Sequence, residues 1–287
     1  MRSSGTNASL GTNVGSGNSF DTGAVEAGVS GTRFSRRVVH LALASSTNTL
    51  AVEAAQMGAD GGVWIADEQT AGRGRGGHAW HSAAGDGLYL SALMTLPVPL
   101  PMTTALLLSL ATGLAARAAI QETCGLETDI RWPNDLMLHG RKCGGILVET
   151  AVTGAVKDAP ARLRYAVIGV GINVGHAVFP AELAKVATSL RIEGGSVSRE
   201  TLTIALLRAL EEEVSGLTGT EEESKGGRPL LERFASASSW VRNKRVRVEE
   251  GGGYTGVTSG LDLQGFLRVM GDDGVQRTVV SGGVREI

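Results

Sequence analysis

The chain has 287 residues, 42% of them hydrophobic and 20% charged, enough for one large domain or two smaller ones and too apolar for a wholly disordered chain. Its 27 basic residues nearly cancel its 29 acidic ones, so the net charge of -2 argues against a general polyanion binder. Cys124 and Cys143 form no CxxC pair, no apolar run reaches the ~18 residues of a membrane span, and MRSSGTNASLGTN lacks a secretory core. These features predict a cytoplasmic protein without disulfides or a membrane partner.

Residues 1–32 contain 20 Gly, Ser, Thr or Asn and three charges, a composition that predicts a disordered tail. From residue 45, SSTNTLAVEAAQMG predicts a helix with Ser, Thr or Asn capping it, apolar positions at Leu50, Ala51, Ala54, Ala55 and Met57, and Gly58 as its stop. GVWIA (62–66) and LYLSALM (88–94) predict strands on either side of the loop AGRGRGGHAW (71–80). Residues 102–124 predict a long buried helix, followed by strands at DIRW, DLML, GGILVET and YAVIGVGINV. A second helix is expected over 199–217, a solvated loop over 218–229 and a helical turn near LLERFA. Beyond Trp240, KRVRVEE, YTGVTSG, GFLRVMG and VQRTVVSG are short β-rich runs with turns about every ten residues, as in a small barrel or sandwich. The predicted organisation is a tail (1–32), a sheet with helices packed on it (33–239) and a small β domain (240–287).

Two stretches carry candidate chemistry. In the 71–80 loop, glycines allow backbone amides to approach an anion, and the forks of Arg73 and Arg75 match pairs of phosphate or carboxylate oxygens. The loop lacks the Lys-Ser/Thr of a Walker motif, and taken alone it is equally a solvated surface loop. RWPNDLML (131–138) sets Asn134 and Asp135 side by side at a turn, and GRKCGGILVE (140–149) places Lys142 before Gly144 and Gly145, a setting for an anionic or flat ligand. His78 and His81 have no further ligands nearby in sequence, so no protein-bound metal is expected.

STN (46–48), QTAGRGRGGHAW (69–80), LYLS (88–91), WPNDL (132–136), RKCGGILVE (141–149) and VIGVGINV (167–174) together resemble biotin protein ligases, and TGVTSGLDLQGFLRV resembles the small C-terminal domain of that family. The resemblance runs from about residue 38 to the end. It implies an α+β fold: a class II aminoacyl-tRNA-synthetase-like catalytic domain with a mixed sheet flanked by helices, plus a C-terminal SH3-like β-barrel. It implies ATP, magnesium carried on the ATP phosphates, and biotin as substrate. Biotin's carboxylate attacks the α-phosphate of ATP to give biotinyl-5′-adenylate and pyrophosphate; a lysine of a biotin carboxyl carrier domain of an acyl-CoA carboxylase then attacks the acyl carbon and expels AMP.

By the same resemblance Lys142 meets the biotin carboxylate and α-phosphate and Arg75 helps to hold the adenylate, with Arg73, Arg75 and Lys142 as the cations that supply charge. Ser46, Thr47, Asn48, Gln69, Arg73, Lys142, Gly144, Gly145 and Gly171 form the biotin pocket. Trp80, Asn134, Asn173, Arg75 and Lys142 face ATP, and Asp135 either orients Lys142 or takes a proton from the attacking amine. Each has a plainer reading: Ser46 to Asn48 as a helix cap, Gly169 and Gly171 as close strand packing, Trp132 as a core residue. Residues 1–32 show no helix-turn-helix pattern, so a ligase without repressor function or a DNA partner is expected. The alternatives are a lipoate or octanoate ligase of the same fold and a non-catalytic biotin-binding protein.

Overall fold

The computed structural model describes residues 20–152, 162–218, 227–280 and 283–287. Seven strands form one sheet in the order β1-β2-β3-β7-β6-β5-β4: β1 Val38–Ala44, β2 Gly61–Gln69, β3 Gly87–Pro101, β4 Asp129–Arg131, β5 Asp135–Leu138, β6 Arg141–Val152 and β7 Arg162–Asn173. Only β1 and β2 run parallel, and every other neighbouring pair is antiparallel, so the sheet is mixed.

Alternation along the strands separates two layers. Val63, Ile65, Ala92, Met94, Ala166 and Ile168 turn to one face and join the main core. Against them lie α3 (Thr104–Cys124), α4 (Arg199–Thr218) and α5 (Gly227–Ala237). The residues between, Trp64, Leu93 and Val167, turn to the other face and bury Ala51 and Ala54 of α2 (Thr47–Gln56). By length and composition α3 could cross a membrane, yet most of it is buried, with Leu108, Leu110, Ala111, Ala115, Ala119 and Ile120 fully enclosed. Trp132 is likewise a core residue, and burial pushes the Cys143 thiol up to about 12, as suits a small inert side chain.

The tail expected over residues 1–32 is corrected in its last part. Asp21 caps α1 (Thr22–Gly28), its carboxylate accepting from Ala24 N at 2.9 Å. Phe20, Val25 and Val29 are buried in the main core. Arg208 Nε donates to Gly28 O at 2.7 Å, and Arg33 pairs with Glu211 at 3.0 Å, fastening the segment to α4. Average composition hid a short apolar helix whose Val25 and Val29 share a face at i, i+4 spacing. Residues 1–19 lie outside the described residues.

Five further strands, β8 Arg242–Val248, β9 Tyr254–Leu261, β10 Leu267–Gly271, β11 Gln276–Val279 and β12 Val284–Glu286, form a second, wholly antiparallel sheet in the order β11-β10-β9-β8-β12. Its Val246, Val248, Leu267, Val269 and Val279 belong to the same apolar cluster as Leu230 and Phe234 of α5. A turn of this sheet touches the RWPNDLML stretch directly: Trp132 Nε1 donates to Gly265 O at 3.0 Å. Gly265 has φ +88, and a Cβ there would lie 3.0 Å from Leu110, so both backbone and space require glycine.

Candidate active site

The carboxyl ends of β2 and β7, the amino ends of β6 and α2, and the glycine-rich loop meet in one cleft. It is lined by Ser46, Thr47, Asn48, Gln69, Arg73, Arg75, Trp80, Asn134, Lys142, Gly145 and Gly171 among the expected residues. Three expected residues stand elsewhere. Gly144 is buried on the opposite face of β6, where a Cβ would press on Leu136 at 2.8 Å, because adjacent strand residues alternate faces. Asn173 lines a second pocket beside the first, and Asp135 sits behind Lys142.

The loop is folded as a small hairpin. Arg73 bridges to Ala79, Gly74 N donates to His78 O at 2.7 Å, and Trp80 N donates to Gly72 O at 2.9 Å. A tight turn over Arg75–Gly77 uses φ +68 at Gly76 and +80 at Gly77. The hairpin lays the Trp80 indole on bare backbone: a Cβ at Gly171 would lie 2.6 Å from Trp80 Cε2, and one at Gly145 would lie 3.2 Å from its Cζ3. These glycines therefore admit a side chain as well as packing strands. Gly169, on the same face of β7, would drive a Cβ into the Asn48 amide. Trp80 Nε1 is buried and has no hydrogen-bond partner among the described residues.

Ser46 occupies the N-cap position of α2 but makes no capping hydrogen bond, contrary to the cap expected there. Gln69 takes over instead, its Oε1 accepting from Thr47 N at 2.9 Å and its Nε2 donating to Ser82 Oγ at 3.0 Å. Ser46, Thr47 and Asn48 are all buried; Thr47 bonds to Gln69 and Ser91, and Asn48 to Ser91, Leu147 and Glu149.

The cations sit on one side. Lys142 Nζ lies 2.5 Å from Asp135 Oδ1 and 5.4 Å from the centroid of the Trp80 ring. Asp135 also accepts from Arg131 Nε at 3.0 Å, so its carboxylate is engaged by two cations. Asn134 is pinned to β6 by reciprocal bonds: its Nδ2 donates to Ile146 O at 2.9 Å, and Ile146 N donates to its O at 2.9 Å. The Trp132–Pro133 peptide bond that starts this turn is cis. Arg75 reaches from the cleft into the crevice between the two sheets, where Phe266 and Val280 face it. Burial pulls its guanidinium below the usual arginine value, while Glu250 and Asp135 oppose that shift; it remains a cation.

The second pocket shares Trp80 and Lys142 with the first and adds His81, Asn173, Phe179, Leu183, Val186 and Ala187. Residues 174–198, which supply its apolar wall, carried no legible signal in the sequence because they form turns rather than a periodic element. Their position is set by main-chain bonds: Lys142 N donates to Val186 O at 2.8 Å, and Thr188 N donates to Lys142 O at 2.9 Å. Asn173 Nδ2 donates to Thr188 O at 2.9 Å, and Phe179 stacks on the buried His176 ring at 4.9 Å. Burial lowers the His176 pKa from its usual value, an effect the nearby Asp86 opposes. Among the described residues no group of three or more His, Cys, Asp or Glu could hold a metal ion.

A polar cleft carrying Arg73 and Arg75 and an apolar pocket beside it, with Trp80 and Lys142 common to both, form a ligase-type site on a mixed α+β sheet. Residues 41–173 match the biotin/lipoate A/B protein ligase family, and residues 242–284 match the biotin protein ligase C terminal domain. The chain belongs to this family, and within it to the biotin protein ligases. It is 35% identical over 256 residues to the biotin–[acetyl-CoA-carboxylase] ligase of Mycobacterium tuberculosis, covering 86% of this chain and 88% of that protein. It is 34% identical over 238 residues to the bifunctional ligase/repressor BirA of Bacillus subtilis, covering 81% of this chain and 69% of that protein. The fold resembles that of the Aquifex aeolicus biotin protein ligase in complex with biotin and ATP, with a TM-score of 0.71 and 24% identity over 88% of this chain and 100% of that one.

Proposed function

We propose that this chain is an ATP-dependent biotin protein ligase of the cytoplasm, which activates biotin to biotinyl-5′-adenylate and passes it to a lysine of a biotin carboxyl carrier domain of an acyl-CoA carboxylase. The observation that carries the reading is the pair of adjoining pockets with Lys142 and Trp80 common to both. Biotin, a neutral ureido ring on an apolar tail, suits the first: Thr47, Asn48 and Gln69 supply fixed polar groups, and Gly145 and Gly171 supply bare walls. An adenine ring suits the second, between the Trp80 indole and the apolar wall of Phe179, Leu183 and Val186.

Adenylation brings a carboxylate against a triphosphate, so it needs positive charge and fixed geometry more than a protein nucleophile. Lys142 stands at the divide, where the carboxylate oxygen would form its bond to the α-phosphorus and pyrophosphate would leave. Arg73 and Arg75 flank it from the loop. Asp135, committed to Lys142 and Arg131, acts in this reading by orienting Lys142 rather than as a base. No acidic cluster among the described residues suits a resident metal, so magnesium is taken to arrive on the ATP phosphates. The amine of the acceptor lysine then forms the amide bond at the acyl carbon, and AMP departs. The repressor activity named for the Bacillus subtilis relative is no part of this reading.

The test is exchange of labelled pyrophosphate into ATP with biotin, lipoate or octanoate as the acid. Exchange with biotin alone is expected; exchange with lipoate or octanoate but not biotin would move the chain to the lipoate side of the family, and silence with all three would leave a binding protein.

A further inference from the structure

Glu149, on β6, does not line the cleft, yet its carboxylate stands directly behind two residues that do. Its Oε2 accepts from Arg73 Nη2 at 3.0 Å and from Asn48 Nδ2 at 2.8 Å. Thr49 Oγ1 gives the same guanidinium nitrogen a longer contact at 3.4 Å. Arg73 projects from a glycine-rich hairpin and is about half exposed, with a side-chain exposure of 46%, so this carboxylate is its one ion pair among the described residues.

The Asn48 contacts fix the direction of a buried hydrogen-bond chain. Glu149 Oε2 and Leu147 O both accept from Asn48 Nδ2, so the amide oxygen must face Ser91. Ser91, fully buried at the centre of β3, lies 2.5 Å from Asn48 Oδ1 and 2.8 Å from Thr47 Oγ1. An amide oxygen has no proton to give, so the single Ser91 proton goes to Asn48; the Thr47 hydroxyl then has two acceptors, Ser91 Oγ at 2.8 Å and Gln69 Oε1 at 3.2 Å, and the shorter contact takes its proton. With either acceptor Thr47 is left with oxygen lone pairs for the cleft, an acceptor for an N–H of the ligand. The chain Thr47, Ser91, Asn48, Glu149 runs one way because it ends on a carboxylate and the Leu147 carbonyl, neither of which can donate.

The geometry points to Glu149 as a positioning residue of this site: its carboxylate holds Arg73 at the cleft and terminates the chain that presents Thr47 as an acceptor to a ureido N–H. This rests on the reading of the cleft as a biotin site. Glu149 touches neither substrate and acts through Asn48 and Arg73, both in the biotin cleft, so its effect should appear first in the binding of biotin.

The experiment is biotin-dependent pyrophosphate exchange with the full chain, its Glu149→Gln and Glu149→Asp variants, with KM for biotin, KM for ATP and kcat measured separately. Glu149→Gln keeps the shape and loses the charge that pairs with Arg73; it is expected to raise KM for biotin about tenfold while KM for ATP changes less than about twofold. Glu149→Asp keeps the charge on a shorter stem and should raise KM for biotin by only about threefold. An unchanged KM for biotin in Glu149→Gln, or equal rises in the two variants, would overturn the proposal even if kcat fell. If Glu149→Gln does not fold, Glu149→Asp decides by the same parameter, an unmoved KM overturning the proposal. A wild-type chain silent with biotin would instead refute the ligase reading itself and this proposal with it.

Discussion

Replacing Gly171 by alanine tests how Trp80 serves both pockets. The added Cβ would sit 2.6 Å from Trp80 Cε2, 2.7 Å from Nε1 and 3.0 Å from Cζ2. Non-bonded carbons prefer about 3.5 to 4.0 Å, so the overlap is about 1 Å. Gly171 pairs with Tyr89 of β3 on one side and Gly145 of β6 on the other, so the strand has nowhere to retreat and the indole must move. Overpacking of this kind costs about 1 to 3 kcal/mol, which corresponds to about a 5- to 150-fold loss of affinity for a ligand that needs the indole in place. The assay is KM for ATP in pyrophosphate exchange for Gly171→Ala, Trp80→Ala and the double variant. If the clash is with Trp80, the second substitution should add little to Trp80→Ala, and the cycle should give a coupling of at least about 1 kcal/mol. Additive effects would show that alanine obstructs the ligand directly, and the argument that Gly171 is kept for the indole would fail.

Three further outcomes follow from the same contacts. Arg75→Gly removes a guanidinium shared by the cleft and the crevice below the second sheet; activated biotin should then escape and label unrelated lysines, and labelling confined to the carrier lysine would refute a retaining role. Phe20→Ala should destabilise the fold by about 3 to 5 kcal/mol, because Phe20 is buried between the His40 ring at 5.0 Å and the Arg199 guanidinium at 5.5 Å; an unchanged denaturation midpoint would restore the tail reading for this segment. Burial raises the Asp67 pKa, but the hydrogen bonds from His40 and Arg199 outweigh it and hold the carboxyl below its usual range. A depressed folded value stabilises the protein above the unfolded pKa and is lost as pH falls through the folded one, so the stability gap between wild type and Asp67→Asn should shrink below about pH 4; a gap constant with pH would contradict the ion-pair account.

The strands and long helices were legible because their signals are local. GVWIA and LYLSALM are nearly continuous apolar runs, as a sheet with helices on both faces demands, and the structure places them in β2 and β3. The apolar block at 102–124 is long enough to be a core helix wherever it packs, and it forms α3. Arg73, Arg75, Lys142, Gly144 and Gly145 were legible for a different reason: charge and bare backbone within a few positions, as in AGRGRGGHAW and RKCGGILVE, suit an anionic or flat ligand, whereas Ser46, Thr47, Asn48, Gln69, Trp80, Gly171 and Asn173 were indicated only by the resemblance to biotin protein ligases. Local signals failed where averaging or alternation mattered. The tail's Gly/Ser composition masked α1, and Gly144 and Gly145 looked equivalent although the pleat sends one to the core and the other to the cleft.

Residue order was therefore sufficient for most of the element types, a sheet with helices packed on it and the clustering of cations with glycines. It could not reveal that Gln69 rather than Ser46 receives the first amide of α2, that Glu149 stands behind Arg73 and Asn48, or that residues 174–198 wall a second pocket. Those relations join positions between 22 and 101 residues apart, and they exist only after β6 and β7 pair beside β3. Propensity and periodicity act over a few residues, whereas a site is assembled by strand register, and register is a property of the folded sheet.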